Sequence, residues 1–65
     1  MSNISKNLKK MRKDKGLSQE KLARLADVAN NTIIKIEGGE NKNPTLDTLK
    51  KIAKAFGVSL DDLIN

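Results

Sequence analysis

The four glycines of this 65-residue chain each fall just past a run of apolar residues at helical spacing, and that punctuation divides the chain into short helices. Gly16 follows Ile4, Leu8 and Met11. Gly38 and Gly39 follow Ile33 and Ile36, and Gly57 follows Leu46, Leu49, Ala53 and Phe56. A glycine beyond the last turn ends a helix at little cost because it accepts the left-handed conformation. The starts are marked as well. Ser18 precedes Gln19 and Glu20, Thr45 follows Pro44 and precedes Asp47, and Ser59 stands ahead of Asp62 as in a capping box. The predicted helices are Ile4–Lys15, Gln19–Ala26, Asn30–Glu37, Leu46–Phe56 and Leu60–Ile64, without strand alternation, repeat or linker. The fold class expected is all-α, in one domain spanning residues 1–65.

A chain of this length buries only roughly 60% of the surface its unfolded form exposes, so its stability is expected to be marginal. Cysteine and histidine are both absent, which removes disulfides, thiolate metal sites, thiol catalysis and the usual general base. No nucleophile–base pair or metal constellation can be drawn, so neither an enzyme nor a metal or cofactor site is expected. No apolar run approaches the roughly 20 residues that span a bilayer. Met1 to Lys10 also lacks a signal-peptide pattern, so the expected location is cytoplasmic.

The net charge of +5 is unevenly spread. Six cations (Lys6, Lys9, Lys10, Arg12, Lys13, Lys15) and one anion (Asp14) give +5 up to Gly16, while seven cations and seven anions cancel in the remainder. Such an excess suits a polyanionic partner or a solvated face that keeps a small protein soluble.

The second and third predicted helices are separated only by Asp27, Val28 and Ala29. Isolated helices shorter than roughly 12 residues are marginal in water, so packing must hold this pair. Two helices joined by so tight a turn commonly meet steeply, as in a helix-turn-helix over residues 18–37, although ordinary helical corners share the spacing. At 100° per residue, Ile33 and Ile36 share one side of the third helix with Ala29 between them, and Asn31, Ile34, Lys35 and Gly38 share the other. Asn30 lies at the exposed amino-terminal end. Asn pairs bidentately with adenine, Lys reaches guanine O6 and N7, and an aliphatic group meets a thymine methyl, so this face carries the chemistry of major-groove readout. The alternative is a polar surface with one stray isoleucine. Glu37 falls toward the inward side, where an unpaired carboxylate is costly, and Arg12 is the candidate partner.

The run Leu17-Ser18-Gln19-Glu20-Lys21-Leu22-Ala23, followed by Ala26-Asp27-Val28, Thr32-Ile33, Ile36-Glu37-Gly38-Gly39 and Asn43-Pro44-Thr45-Leu46, resembles phage repressor/Cro domains and bacterial Xre-type regulators. The resemblance runs without gaps from about Ile4 to Ile64. It implies a compact five-helix, lambda-repressor-like DNA-binding domain of bacterial or phage origin whose third helix reads bases. It further implies a regulator of transcription, a repressor in the usual case, acting as a homodimer on inverted-repeat operators of double-stranded DNA without cofactor, small-molecule ligand or catalysis. Asn30, Asn31, Ile34 and Lys35 match the base-contacting face. Gln19 matches the residue that contacts phosphate and buttresses the reading helix, and Thr32 matches a position that packs or touches the backbone. Asn41, Lys42 and Asn43 match a loop lining the DNA backbone, with Arg12 and Lys9 as further phosphate contacts. Arg12 and Glu37 match the family's ion pair. The stripe Leu46, Leu49, Ile52, Ala53 and Phe56 is assigned to the core.

Two positions depart from the family. Asp27 stands where a left-handed glycine is usual, and Ala29, a poor cap, stands where Ser or Thr usually begins the third helix. Asn30 is then shared between capping and base contact. The carboxy-terminal Val58, Leu60, Leu63 and Ile64 either cap the core or provide the dimer surface. Competing readings are a protein-interaction module, which the amide-rich third helix disfavours for want of apolar anchors, and RNA binding, which lacks stacking aromatics.

Overall fold

The helix signals act where the sequence places them. In the computed structural model, which describes residues 3–64, the elements are α1 (Ile4–Asp14), α2 (Gln19–Ala26), α3 (Asn30–Glu37), α4 (Leu46–Phe56) and α5 (Leu60–Ile64). α1 ends one residue earlier than expected, because the Lys15 and Gly16 N–H groups turn back to Met11 and Lys13 and Leu17 N–H reaches Arg12 O. Ser18 Oγ accepts from Lys21 N–H at 2.9 Å, and Thr45 Oγ1 accepts from Thr48 N–H at 3.2 Å. Ser59 and Asp62 bond reciprocally, each backbone N–H to the other's side chain, at 3.2 and 3.1 Å. Each such cap satisfies a donor that the helix itself leaves orphaned. Gly57 closes α4 in the left-handed region at φ 71°. After α3 it is Gly39, at φ 77°, that turns left-handed, whereas Gly38 stays right-handed at φ −78°.

The principal helix contacts run in a ring: α3 packs on α1 and α2, α2 on α4, α4 on α5, and α5 back on α1. Inside it Leu8, Leu22, Ile33, Ile36, Ile52 and Leu63 are fully buried, joined by Ile4, Ala23, Ala26, Ala53 and Phe56. Burying one such aliphatic side chain contributes about 1.5–3 kcal/mol, and with no disulfide this shared core must offset the chain entropy. Asn7 Nδ2 stitches α1 to the end of α5 by donating to Leu63 O at 3.0 Å.

The assignment of Leu46 to the core is corrected: it is 55% exposed. It is the first residue of α4, one turn ahead of half-buried Leu49, and it lies at the edge of the stripe that Ile52, Ala53 and Phe56 bury. Ala29 likewise faces solvent and does not join Ile33 and Ile36, because the chain leaves the helical path at this cap position. In the carboxy-terminal segment Leu63 is buried, and Val58, Leu60 and Ile64 are each half-buried.

Candidate nucleic-acid interface

The turn between α2 and α3 is set by Asp27, which adopts φ 58° and ψ 47°, the left-handed conformation expected there. Its N–H bonds Arg24 O at 3.2 Å, and Val28 N–H bonds Ala23 O at 3.0 Å. Asp is among the few residues other than Gly that tolerate this region, at a steric cost. α3 then starts at Ala29 with no side-chain cap. Asn30 does not take the capping role; it is the first helical residue, and its side chain is exposed without a hydrogen bond among the described residues. The N–H groups of Asn30 and Asn31 find no acceptor there either, while Thr32 N–H makes a tight bond to Ala29 O at 3.0 Å.

Ile33 and Ile36 are fully buried, and this anchors one side of α3. The periodicity then turns Asn31, Ile34 and Lys35 outward, all exposed, with Ile34 43% accessible in spite of its apolar side chain. Thr32 is half-buried at the edge of this face. The structure thus brings Asn30, Asn31, Ile34 and Lys35 together on one outward surface.

The carboxy-terminal end of α3 is held by a charged cluster. Glu37 has a side chain only 2% exposed, and Arg12 grips it with two prongs, Nε to Oε2 at 2.6 Å and Nη2 to Oε1 at 3.0 Å. Arg12 Nη1 also donates to Leu17 O at 2.7 Å. Gln19 Nε2 donates to Glu37 Oε1 at 3.2 Å, and Ser5 Oγ donates to Glu37 O at 2.7 Å. Hydrogen bonding to Glu37 holds the guanidinium above its ordinary pKa, and the opposite charge acts the same way against the effect of burial. No buried side-chain polar atom is left without a partner among the described residues. Loss of one member of such a pair leaves an uncompensated buried charge, so the cluster locks α3 to both α1 and α2.

The cluster also redistributes roles that the sequence assigns. Three of the five N–H groups of Arg12 are spent internally, leaving two. The half-buried Gln19 uses its amide on Glu37, in keeping with a buttress of α3. Ser5 was not singled out by the sequence, and no pattern marks it, because its acceptor is a backbone carbonyl 32 residues away.

Beyond α3 the loop folds back on the helix end, with Glu40 and Asn41 N–H both bonding Lys35 O at 2.9 and 3.0 Å. Asn41 Oδ1 accepts from Asn43 N–H at 3.1 Å, which fixes a tight turn and leaves Lys42 and Asn43 exposed. Lys9 is exposed on α1. Leu25, at 53% exposure, is a second large apolar side chain on the surface that no periodicity argument identified.

Comparison with known proteins places this arrangement among relatives. Residues 8–63 match the helix-turn-helix family model HTH_3. The regulator SinR of Bacillus licheniformis is 36% identical over 62 residues, which are 95% of this chain and 56% of that protein. The cryptic phage CTXphi transcriptional repressor RstR of Vibrio cholerae is 33% identical over 62 residues, 95% of this chain and 55% of its own length. The chain therefore spans little more than half of these relatives. A crystal structure of SinR, the master regulator for biofilm formation, in complex with DNA superposes with a TM-score of 0.88 at 35% identity, covering 92% of this chain and 95% of that one.

Proposed function

The chain belongs to the helix-turn-helix family, and from that membership we propose that it is a sequence-specific double-stranded DNA-binding domain of a transcriptional regulator, a repressor, that reads bases with α3 in the major groove. The single observation that carries this reading is the outward face of α3. The side chains of Asn30, Asn31, Ile34 and Lys35 lie together in solvent, without a hydrogen bond among the described residues, on a helix whose opposite side and carboxy-terminal end are firmly anchored. Side chains that make no internal bonds are available to base edges, and the anchoring keeps them in register.

Around this face, Gln19, Thr32, Lys42, Asn43 and Lys9 are the proposed phosphate contacts, with Asn41 shaping the loop and Arg12 offering its two remaining N–H groups. Phosphate contacts supply affinity and position, and base contacts supply discrimination. The operator is proposed to be an inverted repeat bound by a homodimer, with two copies of α3 about 34 Å apart on one face of the duplex. The carboxy-terminal segment, with Val58, Leu60 and Ile64 half-buried, is the proposed dimer surface. The relatedness to RstR, a repressor, supports the sign of regulation.

Random-site selection with the purified domain tests the whole reading. The expected result is an enriched motif with two half-sites related by dyad symmetry and spaced by about one helical turn. Recovery of no motif would overturn sequence-specific binding, and a single unsymmetrical half-site, with sedimentation showing only monomer on DNA, would overturn the dimer.

A further inference from the structure

Apart from Lys9, a proposed phosphate contact at the edge of the duplex under α3, the lysines of α1 stand on a face that the reading of α3 does not use. Lys6, Lys9, Lys10 and Lys13 follow the i, i+3, i+4, i+7 spacing of one helix face, and all four are exposed on α1. Side chains on the other flanks of α1 are spoken for. Ile4 and Leu8 are in the core, Ser5 and Arg12 bond Glu37 at the end of α3, and Asn7 bonds Leu63 in α5. Lys6, Lys10 and Lys13 lie opposite Ile4 and Leu8; Lys6 and Lys13 are about 100° further round than the flank that meets α3, and Lys10 is about 150° round, nearer α5. They point outward between α3 and α5.

This face is arranged against the stability of its own helix. α2 and α4 each pair one surface cation with an i,i+4 acid, Arg24 with Glu20 at 2.8 Å and Lys51 with Asp47 at 3.5 Å. In α1 no lysine has an ion pair among the described residues, and the helix's one acid, Asp14, pairs with none of them. The lysines repel one another at i,i+3 and i,i+4, and Lys6 sits in a first turn without an acid, where the helix dipole disfavours a cation. Asp14 borders this face and Asp62 of α5 lies near Lys10, both short of ion-pair contact, so the excess of one sign is only partly offset and suits a polyanion that neutralises the rest.

We propose that the outward face of α1 is a second, sequence-blind docking surface for duplex DNA, by which one copy of the domain holds another stretch of duplex beside the one read by α3; this rests on the reading of α3 as the base-reading helix. Lys6 and Lys13 are about 10 Å apart along the helix axis, and a duplex presents one negative charge per roughly 1.7 Å of its own axis, so the stripe meets several phosphates. A membrane surface fits less well. The apolar side of α1 is consumed in the core, so nothing remains to enter the acyl boundary as interfacial helices do.

The test uses the full chain with two probes, a fluorescent duplex carrying the site enriched by selection and a biotinylated random-sequence duplex on beads. Direct binding of the fluorescent duplex is measured first, and its absence in the wild-type protein would remove the α3 reading itself. Given that binding, the wild-type protein is expected to retain the fluorescent duplex on the beads. The K6Q/K10Q/K13Q variant is expected to bind the fluorescent duplex directly within about threefold of wild type, yet lose retention by about tenfold or more, with about 2.7 removed from the salt exponent for retention. The same variant is expected to melt no lower than wild type, and K6R/K10R/K13R to retain like wild type. Unchanged retention in the glutamine variant would overturn the proposal, since bridging would then run through two reading heads. An equal loss in direct binding would also overturn it, by assigning these lysines to the duplex under α3. Co-sedimentation with phosphatidylserine–phosphatidylcholine vesicles without duplex retention would assign the face to lipid instead and overturn it too.

Discussion

At the buried end of α3 the Glu37 side chain is fully engaged, whereas the polar side chains on its front, Asn30, Asn31 and Lys35, have no partner among the described residues. Glu37 receives two prongs from Arg12 and one bond from Gln19, and its carbonyl receives Ser5. The side chains of Asn30, Asn31 and Lys35 have no hydrogen bond among the described residues. Both regions are rich in hydrogen-bonding groups within one eight-residue helix. The difference teaches that stability and the proposed recognition are assigned to separate faces of one helix. Polar atoms behind α3 are fixed because burial makes an unmet partner expensive, and those in front are left to water, which on the proposed reading a base edge replaces.

The largest effect tests the occupied side. Arg12→Ala leaves the Glu37 carboxylate buried with only the Gln19 amide, and the expected loss is about 3–5 kcal/mol of folding free energy, a large share for a domain of this size. Urea or thermal denaturation measures it. R12M/E37M, which removes both charges, is expected to recover most of that loss. A single variant within about 1 kcal/mol of wild type would show that water already reaches the pair, and would break the contrast.

The free side is sharpened by Lys35→Ala. Binding to the selected site is expected to weaken by about 1–3 kcal/mol, with a smaller loss on random duplex and an unchanged melting temperature. Equal losses on both duplexes would move Lys35 from reading bases to holding the backbone. Gln19→Ala sits across the boundary. It deletes a 3.2 Å bond to Glu37 from a half-buried side chain at the amino terminus of α2, so stability is expected to fall by about 1 kcal/mol. Binding should weaken as well, and a loss in binding with no loss in stability would make Gln19 a phosphate ligand alone.

How much of this was legible in the sequence follows the same division. Helix positions were readable because caps and glycines act locally, and the Ser18, Thr45 and Ser59 caps form within three residues of their signals. The outward face of α3 was readable because Ile33 and Ile36 fix the rotation of the helix. The Arg12–Glu37 pair was readable because a carboxylate on an inward position demands a partner. Leu46 departs from the expectation because it sits at the edge of the apolar stripe on the first turn of α4, where spacing alone does not tell depth. Exposed Leu25 and the Ser5–Glu37 carbonyl bond depend on distant packing that no local spacing encodes.

The smallest expected effect concerns the turn that orients both faces together. Asp27 holds φ 58° although a Cβ is disfavoured there, and its side chain is exposed with no hydrogen bond among the described residues to compensate. Asp27→Gly relieves that strain but gives the unfolded chain more freedom, and the two effects oppose each other. Relief is expected to prevail by about 0.5 kcal/mol, which for a domain of this size raises the melting temperature by about 2–4 °C. Because the turn geometry is kept, the rotation of α3 and the selected motif should not change. A higher melting temperature accompanied by an altered motif would mean that Asp27 helps to aim the reading face, and that anchoring and recognition meet at this residue.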